Sequence, residues 1–201
     1  MVTGLRPETF ENLQLNAGVF LENFDASKYS DASALEDGIL AALEANTGLI
    51  GATIGDGSFV AEPSIRNIEA NGMRYAIVGS VVNDMWTIKL TGTMKEVNAA
   101  NFKRVLASCD MDTSKTNVTV LTVRTDIKST DYIPKLCWVG DTSKGFVMIE
   151  LDNALNTAGV TFTFTDKGEG SIPFEFTAHH NDLKNMDNAP FRVYFFDKAA
   201  A

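Results

Sequence analysis

Alternation of apolar and polar residues in the last thirty residues of the chain is the feature that most constrains its fold. In the run Ile-Pro-Phe-Glu-Phe-Thr at 172–177, every second residue is large and apolar. A period of two places alternate side chains on opposite faces of a β-strand, so this run predicts a half-buried strand. The run Phe-Arg-Val-Tyr-Phe-Phe at 191–196 predicts a second strand on the same grounds. The connection 179–190 contains no glycine, which favours a structured loop over a tight hairpin turn.

Similar alternation predicts strands along most of the chain. The dipeptide Asn71-Gly72 is a strong hairpin signal, and it predicts a hairpin between the runs 58–70 and 73–82. In the run 85–97, the even-numbered residues from Trp86 to Met94 are predicted to face the core, and the threonines and lysines between them to face away. The remaining predicted strands are 13–24, 117–125, 134–139, 146–151 and 160–165.

Two helices are predicted among these strands. Ser33 and Glu36 have the spacing of a capping box, and Asn46-Thr-Gly48 is a typical helix end. Asn98 is a good N-cap for a second helix, which is predicted to end near Asp110. The first helix carries an apolar stripe that must cover a sheet, formed by Leu35, Ile39 and Leu43. Mostly antiparallel strands with two helices predict a mainly β (α+β) fold in a single domain, residues 1–201.

Composition bounds the class of protein. The 201 residues are 45% hydrophobic and 21% charged, and no apolar run approaches the roughly 20 residues that a membrane helix needs. The first residues lack the pattern of a signal peptide, so we expect synthesis in the cytosol. Cys109 and Cys137 are far apart and predict free, buried thiols instead of a disulfide framework. A net charge of -9 argues against a surface that binds nucleic acid, because phosphate contacts need lysine and arginine in excess.

Candidate metal sites have simpler structural interpretations. His179 and His180 are adjacent, so on a strand they would point to opposite faces, and no partner has the spacing of a zinc site. Asp110, Asp112 and Asp126 lack the glycine and final glutamate of a calcium loop, and the first two are predicted to terminate the second helix. We therefore predict no metal.

Candidate catalytic groups are equally weak. Gly55-Asp-Gly57 lacks the lysine and the following helix of a phosphate-binding loop, and it is predicted to be a turn. Cys137 lies beside Trp138 in an apolar strand, where burial would make the thiol a poor nucleophile. We predict neither an enzyme nor a cofactor.

Polar strand faces and open sheet edges favour self-association. Thr161, Thr163 and Thr165 alternate with apolar residues, and faces of this kind tolerate water. The edges of a long sheet invite pairing with another chain unless prolines or inward charges guard them, and these strands have few of either. The stretch 48–57 is rich in glycine and yet apolar, which predicts that it packs against a partner surface. A contact between different surfaces of successive copies would close a ring.

Three parts of the chain together resemble one known family. They are the run from Gly57 to Gly72 followed by 86–97 and a short helix, the closing runs 172–179 and 189–195, and the opening Leu15-Asn-Ala-Gly-Val-Phe20. These segments resemble the major tail tube proteins of long-tailed bacteriophages. They are also similar to tube proteins of phage-derived bacteriocins and contractile injection systems.

The resemblance implies a fold, an assembly and a set of partners. The fold would be two packed antiparallel sheets, a sandwich or half-barrel, with one or two flanking helices, an N-terminal arm or strand at 1–25 and an ordering loop at about 48–83. Hexameric rings would stack into a hollow tube that carries the genome to the host, and DNA would pass without specific binding. Other partners would be the tail terminator, the tape-measure protein and the baseplate or tail-tip proteins. The tube would be assembled in the host bacterial cytoplasm and belong to the virion tail.

The assembly that the resemblance implies suggests which residues make contacts between copies and which line the lumen. Candidates for contacts between subunits or rings are Leu15, Val19, Leu49, Ile50, Ile54, Phe59, Leu183 and Met186. Candidates for the lumen wall are Thr163, Thr165, Glu175 and Thr177. The threonine and lysine face of 87–95 is the competing choice, against which Lys89 and Lys95 weigh because lysines bind DNA.

The alternative is a monomeric β-sandwich that serves as a binding or capsid-decoration module. A module that binds carbohydrate would display aromatic residues on its loops. Most aromatic residues here alternate inside predicted strands, and only Tyr29, Tyr75 and Tyr132 are candidates for display.

Overall fold

The computed structural model describes residues 9, 13–14, 16–181 and 186–197. The two α-helices in these residues are α1 (Ala32–Glu44) and α2 (Ala99–Val105). The strands are β1 (Val19–Glu22), β2 (Ser58–Asn67), β3 (Val81–Met94), β4 (Cys109–Lys115), β5 (Val118–Val123), β6 (Ile133–Asp141), β7 (Gly145–Asn156), β8 (Ile172–Thr177) and β9 (Phe191–Asp197). The fold is mainly β with two helices, as the sequence predicts. No helix in the described part of the chain is long and apolar enough to cross a membrane.

Seven strands form one antiparallel sheet that folds over on itself. The order is β1-β6-β7-β8-β3-β2, and β9 also pairs with β7. Most of β7 pairs with β6 and β9, whereas only Leu155 and Asn156 at its end pair with β8. The sheet therefore has two layers, a first layer of β1, β6, β7 and β9 and a second layer of β8, β3 and β2. This arrangement confirms the predicted pair of packed antiparallel layers.

Aromatic side chains join the two layers. The ring centroids of Phe20 in β1 and Phe174 in β8 are 5.1 Å apart, and those of Phe59 in β2 and Phe191 in β9 are 5.4 Å apart. Phe176 is fully buried between the layers. In β3 the even-numbered residues from Ile88 to Met94 are buried, which confirms that part of the predicted core face. Trp86, which was predicted on the same face, is 44% exposed, because it lies beyond the end of the second layer.

Helix α1 covers the opposite face of the first layer. Leu35 and Ile39 pack into a second apolar cluster with residues of β1, β6 and β7. The helix begins after Asp31, whose carboxylate accepts a hydrogen bond of 2.9 Å from the backbone N–H of Ala34. The capping box predicted at Ser33 is therefore wrong, and an aspartate two residues earlier takes that role.

A buried ion network fixes β9 to the first layer. The Glu150 side chain is fully buried in β7, and its Oε1 lies 2.8 Å from Lys135 Nζ and 3.0 Å from Arg192 Nη1. Its Oε2 accepts a hydrogen bond of 3.1 Å from the backbone N–H of Ala26. Asp152 pairs with the same two cations. Burial lowers the pKa of Lys135, but its hydrogen bonds to Asp152 and Glu150 outweigh that effect and raise the pKa above its ordinary value.

Several predicted elements differ from the observed ones. The turn predicted at Asn71-Gly72 is present, because the backbone N–H of Met73 donates to the carbonyl of Ala70 at 3.0 Å. The tight hairpin predicted around it is wrong, because β2 pairs with β3 from Ser58↔Thr91 to Asn67↔Val81 and residues 68–80 form the connection. Helix α2 ends at Val105, so the segment from Cys109 that was predicted to complete the helix is instead strand β4, paired with β5.

Two further strand predictions are wrong or only partly correct. Residues 160–165 are not a strand, because only Thr163 makes a ladder-like pairing, with Ser171. The strand predicted at 13–24 is regular only over β1. The strands β8 and β9 are both confirmed, but they pair with other strands and not with each other.

The apolar stretch 48–57 finds its partner surface within its own chain. The backbone N–H of Ile50 donates to the carbonyl of Phe20 at 3.1 Å, and that of Ile54 donates to Thr93 at 3.0 Å. Ile50 is 1% exposed and belongs to the main core. The stretch is thus a structural bridge between β1 and β3.

Candidate functional site and assembly surfaces

The outward face of the second layer is a continuous polar surface, which we call the threonine face. The register pairs Lys89 with Thr177 and Thr91 with Glu175, so residues from β3 and β8 share this face. The face consists of Ser58, Val60, Glu62, Thr87, Lys89, Thr91, Thr93, Pro173, Glu175 and Thr177. The two surfaces that the sequence offered as competing lumen walls are therefore largely one surface.

Hydroxyl groups and a balanced ion pair dominate the threonine face. Lys89 Nζ lies 2.8 Å from Glu175 Oε1, with both side chains about one-third exposed. The Ser58 and Thr91 hydroxyls are 2.8 Å apart, and the Thr157 hydroxyl at the edge of the face is 2.7 Å from that of Thr177. A lysine that is already paired attracts a phosphate less than a free one does. The objection that Lys89 would bind DNA is correspondingly weakened.

Lys95 has a similar ion pair outside the sheet. Its Nζ lies 2.9 Å from Glu169 Oε2, and hydrogen bonding to Lys95 lowers the pKa of that carboxyl. Two of the four residues predicted for the lumen wall, Glu175 and Thr177, lie on the threonine face. The other two, Thr163 and Thr165, are exposed in the irregular segment before β8 and lie outside that face.

The β2–β3 hairpin extends far beyond the second layer as a two-stranded arm. Strand β8 pairs with β3 only from Lys89 to Met94, so residues 62–87 project without a neighbouring strand among the described residues. We call residues 62–87 the arm and residues 68–80 its tip. The large apolar side chains exposed on the arm are Ile65, Ile68, Tyr75, Ile77, Val78, Val81, Met85 and Trp86.

This composition is unusual for a surface that stays in water. An isolated two-stranded hairpin is marginally stable, and a contiguous exposed apolar patch marks an interaction site. Tyr75 is 85% exposed, and Val78 is fully exposed. Sequence reasoning placed no contact residue in the tip, although apolar residues between the loop glycines Gly72 and Gly79 were an available signal.

A second ribbon, β4 with β5, also has an open apolar face. The register places Met111 opposite Leu121 and Cys109 opposite Val123 on one face. Met111 is 44% exposed and Val123 58% exposed, whereas Cys109 at the base is buried. Two ribbons therefore project from the described part of the chain, and the arm is much the longer.

The predicted contact residues lie in different environments. Ile54 and Met186 are exposed, whereas Val19, Leu49 and Phe59 are half-buried and pack against the cores of their own chain. Ile50 is buried in the main core, so in this conformation its side chain is covered by its own chain. Leu15 and Leu183 lie outside the described residues.

A cleft of about 600 Å³ opens between the two layers. Its apolar wall includes Phe20, Trp138 and Ile149 from the first layer and Phe59 and Leu90 from the second. The polar lining residues include Gln14, Asn16 and Asp56, and Ser58 and Thr91 join them from the edge of the threonine face.

The candidate chemical groups have structural partners. The carboxylates of Asp110, Asp126 and Asp131 surround the guanidinium of Arg124 at distances of 2.9, 3.7 and 2.6 Å. Asp110 and Asp112 lie in β4, so the prediction that they terminate the second helix is wrong. No metal-binding cluster of three or more side chains occurs within residues 9, 13–14, 16–181 and 186–197. His179 Nδ1 is 3.3 Å from the carbonyl of Asn153.

Both thiols are buried and free, as predicted. Burial, reinforced by the charge of Glu150, raises the pKa of Cys137 far above its ordinary value. Burial also raises the pKa of Cys109. Neither thiol is therefore activated as a nucleophile.

Comparisons with known proteins do not identify the chain. No protein-family model matches the sequence, and no curated protein matches it.

Proposed function

We propose that this protein is a structural subunit that assembles with copies of itself into rings, which stack into a hollow tube of the phage-tail type. The proposal joins the resemblance of the sequence to major tail tube proteins with the surfaces described above. The observation that carries it is the arm, on which Ile65, Val81 and Trp86 continue the core-facing side of β2 and β3 beyond the second layer and are exposed. A chain with such an arm gains stability when a second copy covers those side chains.

The threonine face supports a role as the tube wall. Its described charges are Lys89, Glu175 and Glu62, which sum to about one negative charge at neutral pH. A wall of hydroxyls with little positive charge minimises phosphate contacts, so DNA would pass without sticking. On this proposal the tube is assembled in the cytoplasm of a bacterial host and becomes part of a virion tail.

Electron microscopy of the purified protein tests the assembly. We expect rings or tubes in negative stain, and sedimentation that shifts to large species as the concentration rises. The matched variant replaces residues 68–80 with Asn-Gly, which should leave the two-layer core folded and prevent stacking. Compact wild-type monomers at high concentration would refute the proposal, and a tube reconstruction with the threonine face outside would refute its role as the wall.

The cleft between the layers favours one other function, a monomeric binding module. Its volume and its aromatic wall are suited to a small ligand. A protein that stays monomeric in the same experiment would support this alternative.

A further inference from the structure

The arm and the cleft lie at opposite ends of the same strand. Residues 55–59, at the start of β2, line the cleft, and β2 then runs for ten residues to the tip of the arm. At a rise of about 3.3 Å per residue, the far end of β2 is about 30 Å from the cleft. Because β2 is a continuous strand, the tip cannot reach the cleft of its own chain.

The tip and the cleft have complementary surfaces. The tip presents Tyr75, Ile77 and Val78, each at least 60% exposed, to the surroundings. The cleft has a wall of aromatic and aliphatic side chains and about 600 Å³ of space, which is ample for one or two large side chains. An apolar tip and a partly apolar cleft on one molecule can bury each other only between molecules.

The tip and the cleft also carry charges of opposite sign. Arg74 adjoins Tyr75 in the tip, and Asp56 lines the cleft. Both side chains are exposed, and neither has an ion-pair partner in the part of the chain that the structure describes. Glu69, the other charged residue of the tip, lies near the end of β2, about five residues from Arg74 in sequence.

We propose that the tip of one copy docks into the inter-layer cleft of a second copy, with Tyr75 or Ile77 against the aromatic wall and Arg74 paired with Asp56. The inference rests on the proposed function and names the contact that stacks successive copies. The contact joins two different surfaces, so it repeats from copy to copy in one direction; between subunits of successive rings, this repeat builds a stack instead of a closed dimer. The length of β2 sets the axial repeat at about 30 Å or more.

Charge reversal tests the pairing. Arg74→Glu and Asp56→Arg should each raise the concentration for half-maximal polymerisation about tenfold or more, because each brings like charges together at the contact. The double variant should restore polymerisation towards the wild-type value. Because both residues are exposed, thermal unfolding of the isolated subunits should stay unchanged, which separates lost assembly from misfolding.

Cysteine cross-linking tests the position of the contact. A chain carrying Arg74→Cys and Asp56→Cys should form a ladder of cross-linked dimers, trimers and longer species when tubes are treated with a short bis-maleimide, whose span replaces that of the Arg74–Asp56 pair. The two cysteines of one chain are about 30 Å apart along β2, which is too far for the same reagent to join them. The native cysteines are buried and add little background. Each single-cysteine variant is the control and should form no ladder beyond a dimer.

The outcomes separate the two proposals. If the wild-type protein forms tubes but the double charge reversal rescues nothing and no ladder forms, the tip docks elsewhere and only this inference fails. If the wild-type protein never assembles, the proposed function fails and this inference fails with it.

Discussion

Removing the buried carboxylate of Glu150 should destabilise the fold more than any comparable change on the surface. The Glu150→Ala change leaves the backbone N–H of Ala26 without its acceptor and takes one of two anions from Lys135 and Arg192. Breaking a buried ion pair from one side costs about 3–5 kcal/mol, and Asp152 still neutralises part of the remaining charge, so we expect about 3 kcal/mol. For a chain of this length, each kcal/mol lowers Tm by about 2–4 °C, which gives a decrease of about 6–12 °C.

Differential scanning calorimetry with two further variants isolates the cause. Glu150→Gln keeps an oxygen acceptor for Ala26 but not the charge, so its Tm should lie between those of the wild type and Glu150→Ala. Glu62→Ala removes an exposed carboxylate from β2 and should change stability by less than about 0.5 kcal/mol. A Glu150→Ala protein that melts within a degree of the wild type would show that the network does not hold β9 and the Ala26 turn in place.

Three other changes test separate parts of the structure. A Cβ at Gly92 would lie 2.6 Å from the Phe174 ring in the core, so Gly92→Ala should lower the free energy of unfolding by about 1–3 kcal/mol in urea titration; an unchanged midpoint would contradict this packing. A hydrogen bond from the Ser27 hydroxyl lowers the pKa of Asp25, so this carboxylate stabilises the fold above its ordinary pKa of 3.8, and that contribution is lost as the pH falls through the lower folded-state pKa. The Tm of the wild type should therefore exceed that of Asp25→Ala by a margin that narrows below pH 4, and a constant margin would refute the assignment. The buried Cys137 thiol should react with a thiol reagent only when urea unfolds the protein, and rapid labelling of the native protein would contradict its burial.

The local sequence pattern was sufficient to predict a strand wherever one face of that strand is buried. Strand β8 has the predicted bounds, because every second residue of 172–177 is large and apolar and the core takes that face. The core face of β3 was also predicted correctly from Ile88 to Met94, and Asn98 caps α2 as expected. In each case the pattern that made the prediction possible involves only side chains a few residues apart in the sequence.

The errors arise where distant segments compete for the same backbone groups. Residues 160–165 alternate as well as a strand does, but β3 pairs along one edge of β8 and the end of β7 pairs with Phe176 and Thr177 on the other. Asn71-Gly72 is a good turn sequence, yet the pairing of β2 with the long β3 leaves it inside a 13-residue connection. Asp31 was missed as the cap of α1, because Ser33 and Glu36 have equally suitable spacing.

The sequence by itself determined that this chain is a mainly β protein with two helices, and which faces of β3 and β8 are polar. Those properties depend on the period of the side chains along one strand. Only the tertiary structure decided that the two polar faces merge into one, that the stretch 48–57 packs against its own chain, and that the apolar tip lies about 30 Å from the cleft. These properties depend on strand order and register, which are set by contacts between residues far apart in the chain.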